Sequence, residues 1–188
     1  MEFEKDILNC ITVLKNGGII LYPTDTIWGL GCDATNEKAV AKIYGLKKRP
    51  DEKAMIVLVA ENKDVLQHVA SPDPAILDYL DKINKPTTVI YDHAIGLAQN
   101  LIGKEGDIAL RICKEEFCRH LLKRFRKPIV STSANISGNN APAIFLEITD
   151  AVKSGVDYIV QYRQDDFVRA APSSIIRWKA GKITVIRA

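Results

Sequence analysis

Phe3, Ile7, Ile11 and Leu14 recur at the spacing of one helix face, and the run stops at Asn16-Gly17-Gly18. Glycine accepts the positive φ of a helix C-terminus, so the pattern predicts a first helix ending there. Ile19-Ile20-Leu21-Tyr22 is a short apolar run closed by Pro23, which predicts a buried strand feeding a loop over residues 24–33. Asn36 is placed to cap a second helix that buries Val40, Ile43 and Tyr44 and carries Lys47, Lys48 and Arg49 at its end, before Pro50. Residues 54–60 read as a core strand. Pro74 fits the first turn of a helix with Ile76, Leu77, Leu80 and Ile83, and β-branched strands are predicted over 87–91 and 108–112. Phe117, Leu121, Leu122 and Phe125 mark a helix before a strand at 129–132, which runs into a polar loop over 133–140. Near the end, 173–178 and 183–187 flank Lys179-Ala180-Gly181-Lys182, a hairpin pattern with glycine in the turn.

Alternating helices and strands with a final hairpin predict an α/β fold, a twisted mixed β-sheet with packed helices. The chain has 188 residues, enough for one substantial core, and shows no repeat or linker, so residues 1–188 are expected to form a single domain. Its acidic, polar start and the lack of any apolar run near the roughly 20 residues of a bilayer span point to the cytoplasm, with no membrane contact. Cys10, Cys32, Cys113 and Cys118 form no C-x-x-C pair and no ladder with His68, His93 or His120. Reduced, buried thiols are expected, and no protein-held metal.

A net charge of +3 does not identify a nucleic-acid binder, so the distribution of charge carries more information than its sum. Three junctions are richer in polar groups than packing requires: residues 23–31, the Lys47-Lys48-Arg49 helix end, and Ser131-Thr132-Ser133-Ala134-Asn135. Hydroxyls and amides beside glycines let a backbone approach phosphate or carboxylate oxygens closely, and the cations balance them. No P-loop is present, because Gly103-Lys104 has Ala98 and Glu105 where a glycine and a Ser/Thr are needed. Gly29 and Gly31 begin a dinucleotide fingerprint, but Ala34 follows. No serine sits in a Gly-x-Ser-x-Gly elbow, and neither His93 nor His120 is placed as its base. A competing reading, an RNA-binding module, draws on the basic clusters 47–49 and 123–127; Phe125 is in register with Leu121 and Leu122, which makes Lys123, Arg124 and Lys127 a solvated face.

Taken in order, Gly17-Gly18, Pro23-Thr24-Asp25-Thr26-Ile27-Trp28-Gly29-Leu30-Gly31, Lys47-x-Arg49-Pro50, Asp107-Ile108-Ala109-Leu110-Arg111, Ser131-Thr132-Ser133-Ala134-Asn135 and Ser173-Ser174-Ile175-Ile176 span almost the whole chain. In this it resembles the YrdC-type threonylcarbamoyl-AMP synthases, in their short single-domain form. The resemblance implies a YrdC-like fold and the condensation of L-threonine, bicarbonate and ATP to threonylcarbamoyl-AMP and pyrophosphate. A separate transfer complex would then modify tRNA to threonylcarbamoyladenosine, and direct contact with tRNA is a further expectation. It implies Lys47 and Arg49 as the catalytic pair that holds ATP phosphates and orients the carbamate. It assigns Thr26, Arg111, Ser131 and Ser173 to threonine, and Ser133, Asn135 and Arg187 to the nucleotide beside Lys47 and Arg49. Magnesium is expected to arrive with ATP. Trp28 stands where relatives carry tyrosine, Lys53-Ala54-Met55 follows the K-x-R-P element in place of a Pro-Leu turn, and Lys85-Pro86-Thr87-Thr88 is a reduced form of the family's W-P-G-P-L-T stretch.

Overall fold

A computed structural model describes residues 2–49, 54–179 and 181–188. Pro50, Lys53 and the hairpin residue Ala180, named in the sequence reading, lie outside the described residues. The elements are α1 (Glu4–Lys15), β1 (Ile20–Tyr22), β2 (Gly29–Gly31), α2 (Glu37–Lys47), β3 (Ile56–Val59), α3 (Asn62–His68), α4 (Pro74–Lys82), β4 (Thr87–Tyr91), β5 (Ile108–Ile112), α5 (Glu116–Phe125), β6 (Ile129–Ser133), α6 (Asp150–Lys153), β7 (Tyr158–Ile159), β8 (Ser174–Lys179) and β9 (Lys182–Arg187). The strands form one mixed sheet in the order β7-β1-β2-β6-β3-β5-β4-β8-β9. The α/β class, the mixed sheet and the terminal hairpin agree with the sequence pattern.

Local chemistry sets the helix ends. α1 buries Ile7, Cys10 and Leu14 and stops where Gly17 takes φ +69°; the Asn36 side chain accepts from the Ala39 amide to start α2; Asp73 caps α4 with Pro74 in its first turn. The acidic start has a structural use. Asp6 is buried, and its carboxylate accepts from the Tyr158 hydroxyl at 2.6 Å and from the Gln161 and Tyr162 amides, which ties α1 to β7 and the chain beyond it.

One expectation is corrected. Residues 24–33 are not all loop, because Gly29–Gly31 form a strand antiparallel to β1 and also paired to β6. Glycine has weak strand propensity, but at Gly31 the Tyr22 ring and the Val130 carbonyl approach so closely that only glycine fits. The short elements α3, α6 and β7 were not legible as pattern either. All four cysteines are buried, and Phe125 belongs to the core as its spacing predicts. Among the described residues no helix is long and apolar enough to cross a membrane.

Candidate active site

β6 lies mid-sheet, and one face of the sheet there, with Ser131 and Ser133 of β6, Ile56 of β3 and Arg111 of β5, meets the loop after β1 and the entry to β8. There they enclose a cavity of about 230 Å³. Thr26, Arg49, Arg111, Ser131, Ser133, Ser173 and Arg187 all line it, so seven of the nine expected site residues converge from parts of the chain up to 161 positions apart (187 minus 26). Lys47 and Asn135 stand behind its wall. His93 and His120 do not line it, so the serines there have no histidine base.

The loop 24–28 is shaped by Thr24. Its hydroxyl donates to the Ile27 carbonyl at 2.8 Å, accepts from the Thr26 amide at 3.0 Å, and meets the Thr26 hydroxyl at 2.9 Å. Thr26 is thereby turned toward Arg111, whose NH1 donates to its Oγ1 at 3.1 Å. Arg111 is only 3% exposed; its NH2 lies 3.3 Å from an Asp25 carboxylate oxygen, and its Nε has no hydrogen-bond partner. A buried guanidinium that borders the cavity is suited to an incoming carboxylate.

On the opposite wall Ser173 exchanges a hydrogen bond with Thr88 at 2.9 Å, and the Ser173 carbonyl accepts from Arg187 Nε and NH2 at 2.9 and 2.7 Å. A bulge sets the aim of Arg187. Ile176 pairs with Val185 but Ile175 pairs with Arg187, so Ile186 is the extra residue and Arg187 shares a face with the cavity-lining Ile175. Burial, and then the nearby Arg111, holds the Arg187 pKa below its ordinary value, and burial does the same for Arg49, whose NH2 donates to the Ala54 carbonyl. Three guanidiniums thus line one small cavity, with Asp25 as the carboxylate paired to one of them.

Lys47 is 1% exposed, and its ammonium donates to the carbonyls of Ser133 and Asn135 and, at 3.4 Å, to the Asn135 amide oxygen. It therefore fixes the turn after β6 from behind. Ser133 Oγ donates to that same amide oxygen, and the Asn135 amide nitrogen donates to the Ile136 and Asn139 carbonyls. Burial, with Arg49 adding to it, lowers the Lys47 pKa from 10.5 to about 8. A pH test follows. Above pH about 8 the ammonium gives up a proton and its grip on the turn weakens, so turnover is expected to fall on an alkaline limb near 8 that is absent in Lys47→Arg. Stability should move oppositely: between about 8 and 10.5 the unfolded chain holds the extra proton, so this group favours folding more as pH rises through that window. An alkaline limb that tracks a loss of fold, or that persists in Lys47→Arg, would refute the role.

Trp28 lines the cavity and packs its ring 4.8 Å from that of Phe145. Outside the cavity, the second basic cluster is largely paired: Lys123 with Glu61, Arg124 with Glu4, and Lys127 with Asp33 at 2.6 Å. Sequence reasoning missed Thr24, Asp25 and Thr88, which hold the site's side chains in place. Thr24 and Asp25 stand inside the polar junction 23–31 and Thr88 in the 85–88 stretch, but nothing in the sequence showed what they hold.

Residues 12–188 match the Sua5_yciO_yrdC family model, described as "Telomere recombination". The chain is 37% identical over 141 residues to a threonylcarbamoyl-AMP synthase of Saccharophagus degradans, covering 72% of this chain and 71% of that protein. It is 32% identical over 163 residues to one of Pseudoalteromonas translucida, covering 85% and 87%. Among solved structures, P. abyssi Sua5 complexed with L-threonine superposes with a TM-score of 0.87 at 21% identity over 98% of this chain. This chain spans only 54% of that one. E. coli YciO gives a TM-score of 0.83 at 21% identity, covering 97% of this chain and 88% of that one.

Proposed function

As the chain belongs to the Sua5_yciO_yrdC family, we propose that it is a threonylcarbamoyl-AMP synthase, a nucleotidyltransferase that condenses L-threonine, bicarbonate and ATP into threonylcarbamoyl-AMP and pyrophosphate for tRNA modification. The observation that carries this reading is the concentration of Arg49, Arg111 and Arg187 with five Ser and Thr hydroxyls around one 230 Å³ cavity. The substrates are a carboxylate, a bicarbonate and a polyphosphate, all anionic, and such a lining compensates them without supplying a nucleophile of its own.

In this mechanism Arg111 takes the threonine carboxylate, while Thr26, Ser131 and Ser173 orient the rest of the amino acid. The amine attacks the carbon of bicarbonate with loss of water, or attacks carbon dioxide formed from bicarbonate by that same loss and gives up a proton, to form a carbamate. A carbamate oxygen then attacks the α-phosphate, and pyrophosphate leaves. Arg49 and Arg187 face the phosphates, with Ser133 on the same wall, and Lys47 and Asn135 hold that wall in shape. Catalysis comes from confinement and from cations placed where charge develops. At an effective dielectric near 20, a unit charge pair at about 4 Å interacts by roughly 4 kcal/mol. ATP enters as its magnesium complex, since the lining is guanidinium and hydroxyl rather than a carboxylate cage. The product is handed to a separate threonylcarbamoyl-transfer complex in the cytoplasm.

The test is pyrophosphate release with ATP, magnesium and bicarbonate, with and without L-threonine, alongside mass spectrometry for threonylcarbamoyl-AMP. Threonine-dependent product is expected, with Arg49→Ala slower by about a hundredfold or more, the scale seen when one charge-stabilising donor is removed. Folded protein that makes no product but binds RNA in a salt-sensitive way would establish the binding-module reading instead. The paired cations of residues 123–127 argue against that outcome.

A further inference from the structure

The loop that carries Thr26 is held from outside by two contacts to its carbonyls. The Cys118 thiol donates to the Pro23 carbonyl at 3.3 Å, and the Arg163 guanidinium donates to the Thr24 carbonyl at 3.2 Å. Arg163 lies in the segment 160–173 that joins β7 to β8, and its backbone has φ +65°. A non-glycine residue pays about 1–3 kcal/mol for such a conformation, so surrounding contacts must hold it there. Those contacts are visible. Asp166 Oδ2 accepts from Arg163 Nε at 3.1 Å and NH2 at 2.8 Å, and Glu115 lies 3.8 Å from NH1. Glu115 also caps α5 by accepting from the Cys118 amide at 2.7 Å, so both outside anchors of the loop arise from one corner.

The same segment then builds the far wall of the cavity. After Asp166 it is tied to the 145–147 turn by Arg169 and Glu147 at 2.8 Å, and it ends at Pro172 and Ser173, which line the cavity opposite Thr26. Between the segment and the loop remains a space of only about 10 Å³, room for no more than one water. Arg163 borders that space and not the cavity itself.

We propose that Arg163 is a positioning residue for the amino-acid substrate: it fastens segment 160–173 to the Thr24–Trp28 loop and so fixes the spacing between Thr26 on one wall and Ser173 on the other. This rests on the synthase reading above. Because Arg163 contacts the loop and no cavity surface, its removal loosens the threonine end of the site and leaves the Arg49 end alone.

Arg163→Gly isolates the side chain, since glycine adopts φ +65° without strain and the backbone has no reason to change. Arg163→Lys keeps the charge beside Asp166 and Glu115 but loses the two-pronged contact to Asp166, so it can hold Asp166 or the Thr24 carbonyl but not both. In Arg163→Gly the KM for L-threonine is expected to rise roughly tenfold, the scale of one hydrogen bond to a charged group, with kcat at saturating threonine and the KM for ATP within about twofold. Arg163→Lys should fall between. Calorimetric titration with L-threonine should show the same weakening without turnover. Threonine binding by Arg163→Gly within twofold of wild type would overturn the proposal. So would a parallel change in kcat and both KM values with a lowered Tm, which marks a general loss of structure. Failure of the synthase reading looks different: wild-type protein then yields no threonylcarbamoyl-AMP, while the titration still reads the clamp, and a wild-type protein that binds no threonine sinks both.

Discussion

Arg111→Lys should lower kcat/KM for L-threonine by about a hundredfold while the protein stays folded. The guanidinium sits with 3% of its surface exposed, spans Thr26 on one side and Asp25 on the other, and keeps Nε without a partner. Lysine retains the charge that Asp25 needs, so the fold is spared the roughly 3–5 kcal/mol that stranding one partner of a buried pair costs. What lysine cannot supply is a planar fork that reaches the threonine hydroxyl, the aspartate and a substrate carboxylate at once. A hundredfold loss corresponds to about 2.7 kcal/mol of transition-state binding, within the range of a bidentate charged contact. The assay varies threonine at saturating ATP, then ATP at saturating threonine. The loss should appear in the first series; an equal loss in the ATP series, or none in either, would remove Arg111 from the threonine end. Arg111→Ala is the harsher variant. It leaves Asp25 unpaired and should lower stability as well as activity.

Thr26, Arg49, Ser131 and Ser133 were legible because the junctions that carry them hold more hydroxyls and cations than packing requires, whereas Arg111, Ser173 and Arg187 came only with the family resemblance. Residues that act through other residues were not legible. Thr24 looks like any turn threonine, and only the folded loop shows it holding Thr26 and Ile27. Arg163 lies in a stretch with no periodicity, 139 positions from the carbonyl it binds. Lys47 was legible as a site residue, but its contacts were not. An ammonium near phosphate-binding chemistry suggests a phosphate ligand, whereas here it holds the two carbonyls that end β6. Arg187 shows the limit of alternation. Strict period two puts Ile183, Val185 and Arg187 on one face, and the bulge at Ile186 moves the arginine to the other. Burial of helix faces needs only a local period, so α1, α2, α4 and α5 were read from spacing; β2 depends on a neighbour that the sequence does not put beside it.

Gly31→Ala should be the most destabilising methyl that this sheet can be given. A Cβ there would stand 2.6 Å from Tyr22 Cε1, 2.9 Å from the Val130 carbonyl oxygen and 3.0 Å from Ile129 Cγ2. None of these can retreat cheaply. Tyr22 is fully buried and its hydroxyl donates to that same Val130 carbonyl at 3.2 Å, so ring and backbone are tied to each other. The clash must then open β2 from β6, and overpacking of this kind costs about 1–3 kcal/mol, at times more. Ser131 follows Val130 directly, so the movement enters the cavity wall and kcat/KM should fall together with Tm. Gly45→Ala supplies the contrast. That glycine is exposed in α2 with nothing near its missing Cβ, and alanine there should stabilise the protein by about 0.5–1 kcal/mol. The cause is tested by pairing Gly31→Ala with Tyr22→Leu, which removes the ring that the methyl meets. Each change alone should lower the denaturation midpoint, and the pair should lose clearly less than the sum, because the alanine methyl fills space that the tyrosine ring vacates. Strict additivity would mean that the Val130 carbonyl, not the tyrosine ring, is what forbids a side chain at position 31.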